Sequence, residues 1–202
     1  MRVIFGAWPK SPKSEQHVPT EAITDAVNIA LGFHHSCAVL TDGKVTCWGW
    51  NGVGQLGDGT TTDSASPVEV MGIMNATSIA LGGYDSWGGH SCVVLTNGKV
   101  LCLGNNGNGQ LGDGDIIDSS SPAEIENLVN ATIVASGTAH TCALLLDGKV
   151  KCWGYNIEGS VGDGSNFDRL FRVDVMGILL MSWASRTQKA SLSALALCIH
   201  VR

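Results

Sequence analysis

Short apolar segments rich in β-branched residues alternate with turn residues through most of the chain. The first four are Val27 to Leu31, Ser36 to Thr41, Lys44 to Trp48 and Pro67 to Val70. Each is bounded by Gly, Asn, Asp or Pro, which is typical of strands joined by tight turns. The pattern predicts a four-stranded antiparallel unit, and the 26 glycines of the chain favour many turns over long helices.

The unit recurs along the chain. The segment from Ser36 to Gly49 returns as Ser91 to Gly104 and again as Thr141 to Gly154, and each copy keeps two cysteines separated by nine residues. The copies start 55 and then 50 residues apart, a period that fits one four-stranded propeller blade. We therefore expect an all-β chain that forms a partial β-propeller of about three four-stranded antiparallel blades, with copies at about 27–76, 77–130 and 131–177.

The turn between the second and third strands predicts the register of each unit. Thr41-Asp42-Gly43 suits a three-residue hairpin loop in which Gly43 adopts the left-handed conformation. Counting outward from this loop, Val39 faces Val45. The same count places the two cysteines of each copy directly opposite each other.

Opposed residues on antiparallel strands have Cα separations of about 4.5 to 5.5 Å, inside the range that a disulfide requires. One interpretation is therefore three disulfides in an exported or cell-surface protein, with Cys198 as the unpaired seventh cysteine. The other is free thiols packed as small apolar groups in a cytoplasmic protein. The predicted pairs are Cys37 with Cys47, Cys92 with Cys102, and Cys142 with Cys152.

A family resemblance lies in the residues that begin within each hairpin loop and continue beyond it. They run Asp42-Gly43-Lys44-Val45-x-Cys47-Trp48-Gly49-x-Asn51-x-x-Gly54-Gln55-Leu56-Gly57-Asp58-Gly59. This string resembles the repeat of the regulator of chromosome condensation. It recurs from Gly98 to Gly114, where Leu103 replaces the tryptophan, and more loosely from Gly148 to Gly164. The resemblance covers residues 18–178.

The resemblance implies a propeller of seven four-stranded blades, of which this chain supplies three. We therefore expect a fragment of a seven-bladed ring that pairs with missing blades or self-associates through its open edges. We expect residues 1–17 to form an irregular lead-in. Residues 179–202 leave the repeat pattern and form either a short helix or a frameshifted tail.

Charge and hydropathy argue against two classes of function. A formal charge of −6 and a pI near 5.4 argue against direct nucleic-acid binding, and no apolar run reaches the length that spans a bilayer. We expect a non-enzymatic scaffold for protein–protein interaction whose partner is another protein. The resemblance also implies two alternatives, a guanine-nucleotide exchange factor for a small GTPase and an enzyme-inhibitor propeller.

Several motifs have the appearance of chemical sites, but repetition favours structural roles for them. Gly52-x-Gly54-x-x-Gly57 matches a dinucleotide fingerprint without the helix that must follow it, and Asp58 to Asp63 lacks EF-hand spacing. The sequons at Asn75 and Asn130 are expected to shape turns. We predict no cofactor, no metal ion and no catalytic residue.

The repeated histidines are a separate case. His35, His90 and His140 each precede a cysteine by two residues, so a zinc site is one interpretation and a buried structural histidine is the other. The structural role is favoured because every copy contains the residue. We expect His35 to donate a hydrogen bond to the backbone of a neighbouring blade.

Residues that do not repeat are candidates for a specific function. Copy two carries a five-residue insertion between Gly82 and Cys92, and the first-copy loop beside it is aromatic. Exposed aromatic side chains are typical of binding hot spots. The other interpretation is that Trp87 packs over its own blade. The predicted binding residues are Tyr84, Asp85, Trp87, Phe33 and His34.

Overall fold

The computed structural model describes residues 22–84 and 88–176. These residues form three antiparallel sheets, each built from four consecutive strands in sequence order. The all-β prediction and the prediction of three four-stranded blades are confirmed. The predictions for residues 1–17 and 179–202 lie outside the described residues.

The described strands contain five or six residues, except for the first two strands of blade 2, which contain nine and eight. Blade 1 contains β1 (Ala26–Leu31), β2 (His35–Leu40), β3 (Val45–Gly49) and β4 (Ser64–Glu69). Blade 2 contains β5 (Ala76–Tyr84), β6 (Gly88–Leu95), β7 (Val100–Gly104) and β8 (Ser119–Glu124). Blade 3 contains β9 (Ala131–Ser136), β10 (His140–Leu145), β11 (Val150–Gly154) and β12 (Arg169–Asp174).

The predicted hairpin register is confirmed. Gly43 has a φ of 79°, and Val39 lies opposite Val45. Each of the three predicted cysteine pairs is also directly opposed. Loop length alone was sufficient to set this register because a three-residue turn leaves one way to align the strands.

The fourth strand begins earlier than predicted. Instead of starting at Pro67, β4 starts at Ser64, which pairs with Gly49 across a register shift in β3. β4 is the outermost strand of its sheet, so Pro67 removes no hydrogen bond that a further strand would need. The apolar pattern missed Ser64 to Ser66 because two partly exposed serines flank an exposed alanine at the edge of the sheet.

The hydrophobic core lies between the blades. The first strands of neighbouring blades contact one another, β1 with β5 and β5 with β9, so the sheets converge on their first strands. One apolar cluster joins blades 1 and 2, and a second joins blades 2 and 3. We call these two contacts the junctions. They include Val39, Leu56, Ile79 and Leu103 in the first junction and Val94, Leu111, Val134 and Trp153 in the second.

The glycine-rich motif after β3 is a self-contained turn. Buried Asn51 accepts a hydrogen bond from the Leu56 amide at 2.9 Å and donates to the Asp58 carboxylate at 3.2 Å. Asp58 also accepts the Thr60 hydroxyl proton at 2.8 Å. Asn106 and Asn156 repeat the arrangement. The carboxylate of this motif is therefore engaged in turn structure, as the sequence predicted.

The two asparagines of the sequons also shape turns. Asn75 and Asn130 have φ values of 62° and 61°, in the left-handed region that asparagine tolerates better than most residues. Gly43 packs against the Asn75 backbone and accepts a hydrogen bond from the Ala76 amide at 2.9 Å. This confirms the predicted turns.

The described residues contain neither a group of side chains placed to hold a metal ion nor a membrane-spanning helix. Within 22–84 and 88–176, no three His, Cys, Asp or Glu side chains converge as a metal ion would require. Over the same ranges, no helix is long and apolar enough to cross a bilayer.

Candidate functional site

The insertion in copy two lengthens a hairpin. β5 and β6 continue beyond the pair Leu81 and Ser91 through three further opposed pairs, the last of which is Tyr84 with Gly88. The corresponding hairpins of blades 1 and 3 end at the equivalent of Leu81. The extra residues therefore project from the end of blade 2 that carries the β5–β6 turn.

The lengthened hairpin brings Tyr84 beside the aromatic loop of blade 1. The ring centroids of Tyr84 and Phe33 are 6.0 Å apart, and those of Phe33 and His34 are 4.6 Å apart. The His34 ring lies 6.3 Å from the ring of Trp50, which follows β3. We call Phe33, His34, Trp50 and Tyr84 the aromatic patch. Phe33 and Tyr84 are each 55% exposed.

Trp50 was not among the binding residues predicted from the sequence, although it anchors the patch. Its amide donates to the His34 carbonyl at 2.9 Å, which ties it to the β1–β2 turn. Its ring lies against Gly88 of the lengthened hairpin, where a Cβ atom would come within 3.3 Å of the indole. The other copies have Asn105 and Tyr155 at this position, and that variation was the signal available in the sequence.

Gly88 lets the lengthened hairpin lie close to blade 1. Its φ of +78° is left-handed, and a Cβ atom there would lie 2.9 Å from a methyl group of Val53. A larger residue would therefore be strained and would push the hairpin away from Trp50. The patch depends on contact between two blades and not on one loop.

Three of the five predicted binding residues are brought together. Phe33, His34 and Tyr84 lie side by side in the aromatic patch. Asp85 and Trp87 lie outside the described residues. Aromatic rings offer large rigid apolar surfaces, which suits a contact with another protein.

The repeated histidines connect neighbouring blades. His35 Nε2 lies 3.0 Å from the Ser91 hydroxyl of blade 2, and that hydroxyl donates to the Gln55 carbonyl of blade 1 at 2.9 Å. Because the hydroxyl proton is directed at the carbonyl, the hydroxyl accepts from Nε2–H. The expectation that His35 donates to a backbone group was therefore wrong, since its partner is a side-chain hydroxyl.

The second junction repeats this arrangement, which we call the latch. His90 Nε2 lies 2.9 Å from the Thr141 hydroxyl, which donates to the Gln110 carbonyl at 3.1 Å. Trp153 Nε1 donates to the same carbonyl at 2.8 Å. Each latch thus consists of a histidine and a carbonyl on one blade and a hydroxyl on the next.

Burial keeps the latch histidines neutral. Desolvation, with a smaller contribution from His34, lowers the pKa of His35 to about 4. Desolvation and the neighbouring histidines lower the pKa of His90 to about 3, and burial also lowers the pKa of His140. A neutral imidazole with one committed N–H is a structural hydrogen-bond donor at neutral pH.

The cysteines of each hairpin are within bonding distance. The sulfur atoms lie 2.05 Å apart for Cys37–Cys47, 2.10 Å for Cys92–Cys102 and 2.08 Å for Cys142–Cys152. The first two pairs are fully buried in the junction cores. Each of the three blades contains one such pair.

Two family models match the chain. Both describe the regulator of chromosome condensation (RCC1) repeat, one over residues 26–55 and 131–160 and the other over 42–93 and 97–144. Together they span most of the described residues.

Curated relatives share part of the chain. Ultraviolet-B receptor UVR8 of Arabidopsis thaliana is 38% identical over 102 residues, which are 50% of this chain and 22% of that protein. RCC1 domain-containing protein RUG3, mitochondrial, of the same plant is 34% identical over 114 residues, or 54% of this chain and 24% of that protein. Human E3 ubiquitin-protein ligase HERC2 is 32% identical over 110 residues, or 54% of this chain and 2% of that protein. The aligned residues span 24% or less of each relative.

Solved structures share the propeller fold. Prp20p from Saccharomyces cerevisiae, in a study of its binding to Gsp1p and histones, superposes with a TM-score of 0.65 and 22% identity. The match covers 76% of this chain and 39% of that chain. Yeast RCC1 (Prp20) bound to Kap60 gives a TM-score of 0.63 at the same identity. The three sheets are thus a partial β-propeller.

Proposed function

Because the chain belongs to the regulator of chromosome condensation (RCC1) repeat family, we propose that its three blades serve as a non-enzymatic scaffold for protein–protein binding. The partner contacts the aromatic patch. Repeated residues build the blades and junctions, and the residues that differ between copies provide the specific surface.

One observation carries this proposal. The aromatic patch combines two half-exposed rings, Phe33 and Tyr84, from two different blades, and it depends on an insertion that blades 1 and 3 lack. Aromatic side chains held rigidly at a surface lose little conformational entropy on binding. Their support by Trp50 and Gly88 means that the patch is organised before a partner arrives.

The titratable groups support a binding role over a catalytic one. The histidines with the most strongly lowered pKa values, His35 and His90, are buried in latches between blades. Shifted pKa values often indicate catalysis, but here each shift follows from burial at a position that every copy contains. A latch histidine has its N–H committed to a hydroxyl of the next blade.

The relatives support a binding role in general terms. Prp20p has been studied for its binding to Gsp1p and histones, and its structure is known with Kap60 bound. UVR8 is named as an ultraviolet-B receptor. These descriptions belong to much longer proteins, and at 22% identity the likeness to Prp20p is one of fold. For this chain the partner class is therefore another protein, and exchange-factor activity remains the alternative.

Paired variants test the proposal by affinity capture from cells that produce the protein. Phe33→Ser with Tyr84→Ser removes the exposed rings of the patch, and we expect at least a tenfold loss of the captured partner. The matched control is Ile117→Ser with Phe167→Ser, which removes two other exposed apolar side chains. Equal capture by the patch variant and the control variant would contradict the proposal.

A separate assay addresses the exchange-factor alternative. The chain is added to a purified small GTPase loaded with fluorescent GDP, and nucleotide release is followed over time. We expect the release rate to stay at its intrinsic value. Accelerated release that the patch variant leaves intact would favour the alternative.

A further inference from the structure

The first strand of blade 1 exposes apolar residues whose equivalents in blade 2 are buried. Ile29 and Leu31 are 62% and 71% exposed. Their equivalents in blade 2, Ile79 and Leu81, are 6% and 8% exposed because they pack against blade 1. We call the side of a blade that carries these positions its front face and the opposite side its back face.

The open front face of blade 1 also carries one half of a latch. Ser36 occupies the position of Ser91 and Thr141, whose hydroxyls join the preceding blade at the two junctions. Trp48 occupies the position of Trp153, which donates to the Gln110 carbonyl across a junction. Both Ser36 and Trp48 are partly exposed.

The open back face of blade 3 carries the other half. His140 corresponds to His35 and His90, but within the described ranges no hydroxyl accepts from its ring. Leu144 and Val150 correspond to Val39 and Val45, which are fully buried in the first junction, yet both are only partly buried.

The two open faces are therefore complementary halves of a junction that this chain forms twice internally. We propose that the back face of blade 3 docks on the front face of blade 1 of a second copy, with His140 donating to the partner copy's Ser36. The contact is heterologous, since different surfaces meet. A second copy is the occupant that the chain itself specifies, because it presents the histidine, the hydroxyl and the apolar positions in the observed spacing.

The test uses one variant for each face of the full chain. Leu31→Asp places a charge on the front face, and Leu144→Asp places one on the back face. Light scattering after size exclusion should give a mass of two or more copies for the unmodified 21.1 kDa chain and of one copy for each variant alone. The mixture of the two variants should contain a complex of one copy of each, because one intact junction remains available between them.

Two controls keep the test interpretable. Val27→Asp changes a residue of the same strand that is about as exposed as Leu31. Its equivalents, Thr77 and Thr132, stay exposed although their blades form junctions, so this variant should assemble normally. Since Leu144 is partly buried in its own blade, His140→Ala serves as a second back-face variant. Loss of one buried hydrogen bond should weaken association by about tenfold.

The proposal does not rest on the aromatic patch, so the variant Phe33→Ser with Tyr84→Ser should assemble like the unmodified chain. A monomeric unmodified chain at high concentration would overturn the proposal. Continued self-association of Leu31→Asp, or no complex in the mixture of variants, would overturn it as well.

Discussion

His90 has the most buried latch ring, with no exposed surface. A charged imidazole there would lose hydration without gaining an anionic partner, so the neutral form is strongly favoured. The Nε2 hydrogen bond to Thr141 then fixes how blade 3 meets blade 2. Apolar packing joins the blades, and each latch adds directional hydrogen bonds across the junction.

The histidines make stability depend on pH. The pKa values of His35 and His90 fall from 6.5 to about 4 and about 3 on folding, so below pH 6.5 the unfolded chain binds protons that the folded chain does not. The contribution of these histidines to the free energy of unfolding is therefore fully present above pH 6.5 and is lost as the pH falls below that value. Urea unfolding should show a loss of about 2 kcal/mol per buried histidine between pH 7.5 and pH 5.

Measurement between pH 7.5 and pH 5 separates the effect of histidine protonation from that of carboxylate titration, which occurs at lower pH. His90→Gln should reduce the pH dependence of stability, whatever its effect at pH 7.5. A free energy of unfolding that stays constant from pH 7.5 to pH 5 would show that the latch histidines are not buried as described.

The latch hydroxyl has its own energetic contribution. Thr141→Val keeps the size of the side chain but leaves the His90 N–H and the Gln110 carbonyl without the hydroxyl. We expect a loss of about 1 to 3 kcal/mol in urea unfolding at pH 7.5. Thr132→Val in the same blade removes an exposed hydroxyl and should change stability by less than about 0.5 kcal/mol. Equal losses in the two variants would argue against the latch.

At the scale of elements, the hairpin between the second and third strands of each blade is the most regular feature. The loop sets the register, and the register places the cysteines opposite each other with Cα atoms 4.1 Å apart in all three blades. A bridge across one such hairpin closes a short loop, for which chain entropy gives about 2 to 3 kcal/mol.

Cysteine pairing can be measured by intact mass. Alkylation of the native chain without reductant should label one thiol of seven, that of Cys198, and reduction before alkylation should label all seven. Unfolding after reduction should need less urea. Native protein that takes six or seven labels would contradict the pairing.

Much of the fold could be predicted because each repeat contains its own register signals. Gly43 and its loop predicted the hairpin, and the cysteine spacing predicted the blade period. The start of β4 at Ser64 could not be predicted, because an outer strand is partly exposed and needs no apolar alternation.

The candidate site was predicted less completely. The insertion identified Tyr84 and its neighbours as unusual, but a count of residues does not show whether an insertion lengthens strands or forms a loop. Trp50 was missed because its contact with Gly88 joins residues of two blades that are far apart in sequence. Contacts between blades follow from the geometry of packing, which a repeat pattern does not contain.

At the scale of the whole molecule, the described residues form three blades with their cores between sheets and an open apolar face at blade 1. Positions shared by the copies, such as the latch histidines and the buried asparagines, build this scaffold. The aromatic patch is made from residues that the copies do not share. We propose that another protein binds at this patch.

Site-specific photo-crosslinking shows whether another protein contacts the patch. The photoreactive residue p-benzoylphenylalanine is placed at position 33 in the patch or, as a control, at position 171, where an exposed phenylalanine lies on β12. Irradiation of cells that produce the protein should give a discrete adduct with one other protein from position 33 and none from position 171. No adduct from position 33, or the same adducts from both positions, would contradict the claim.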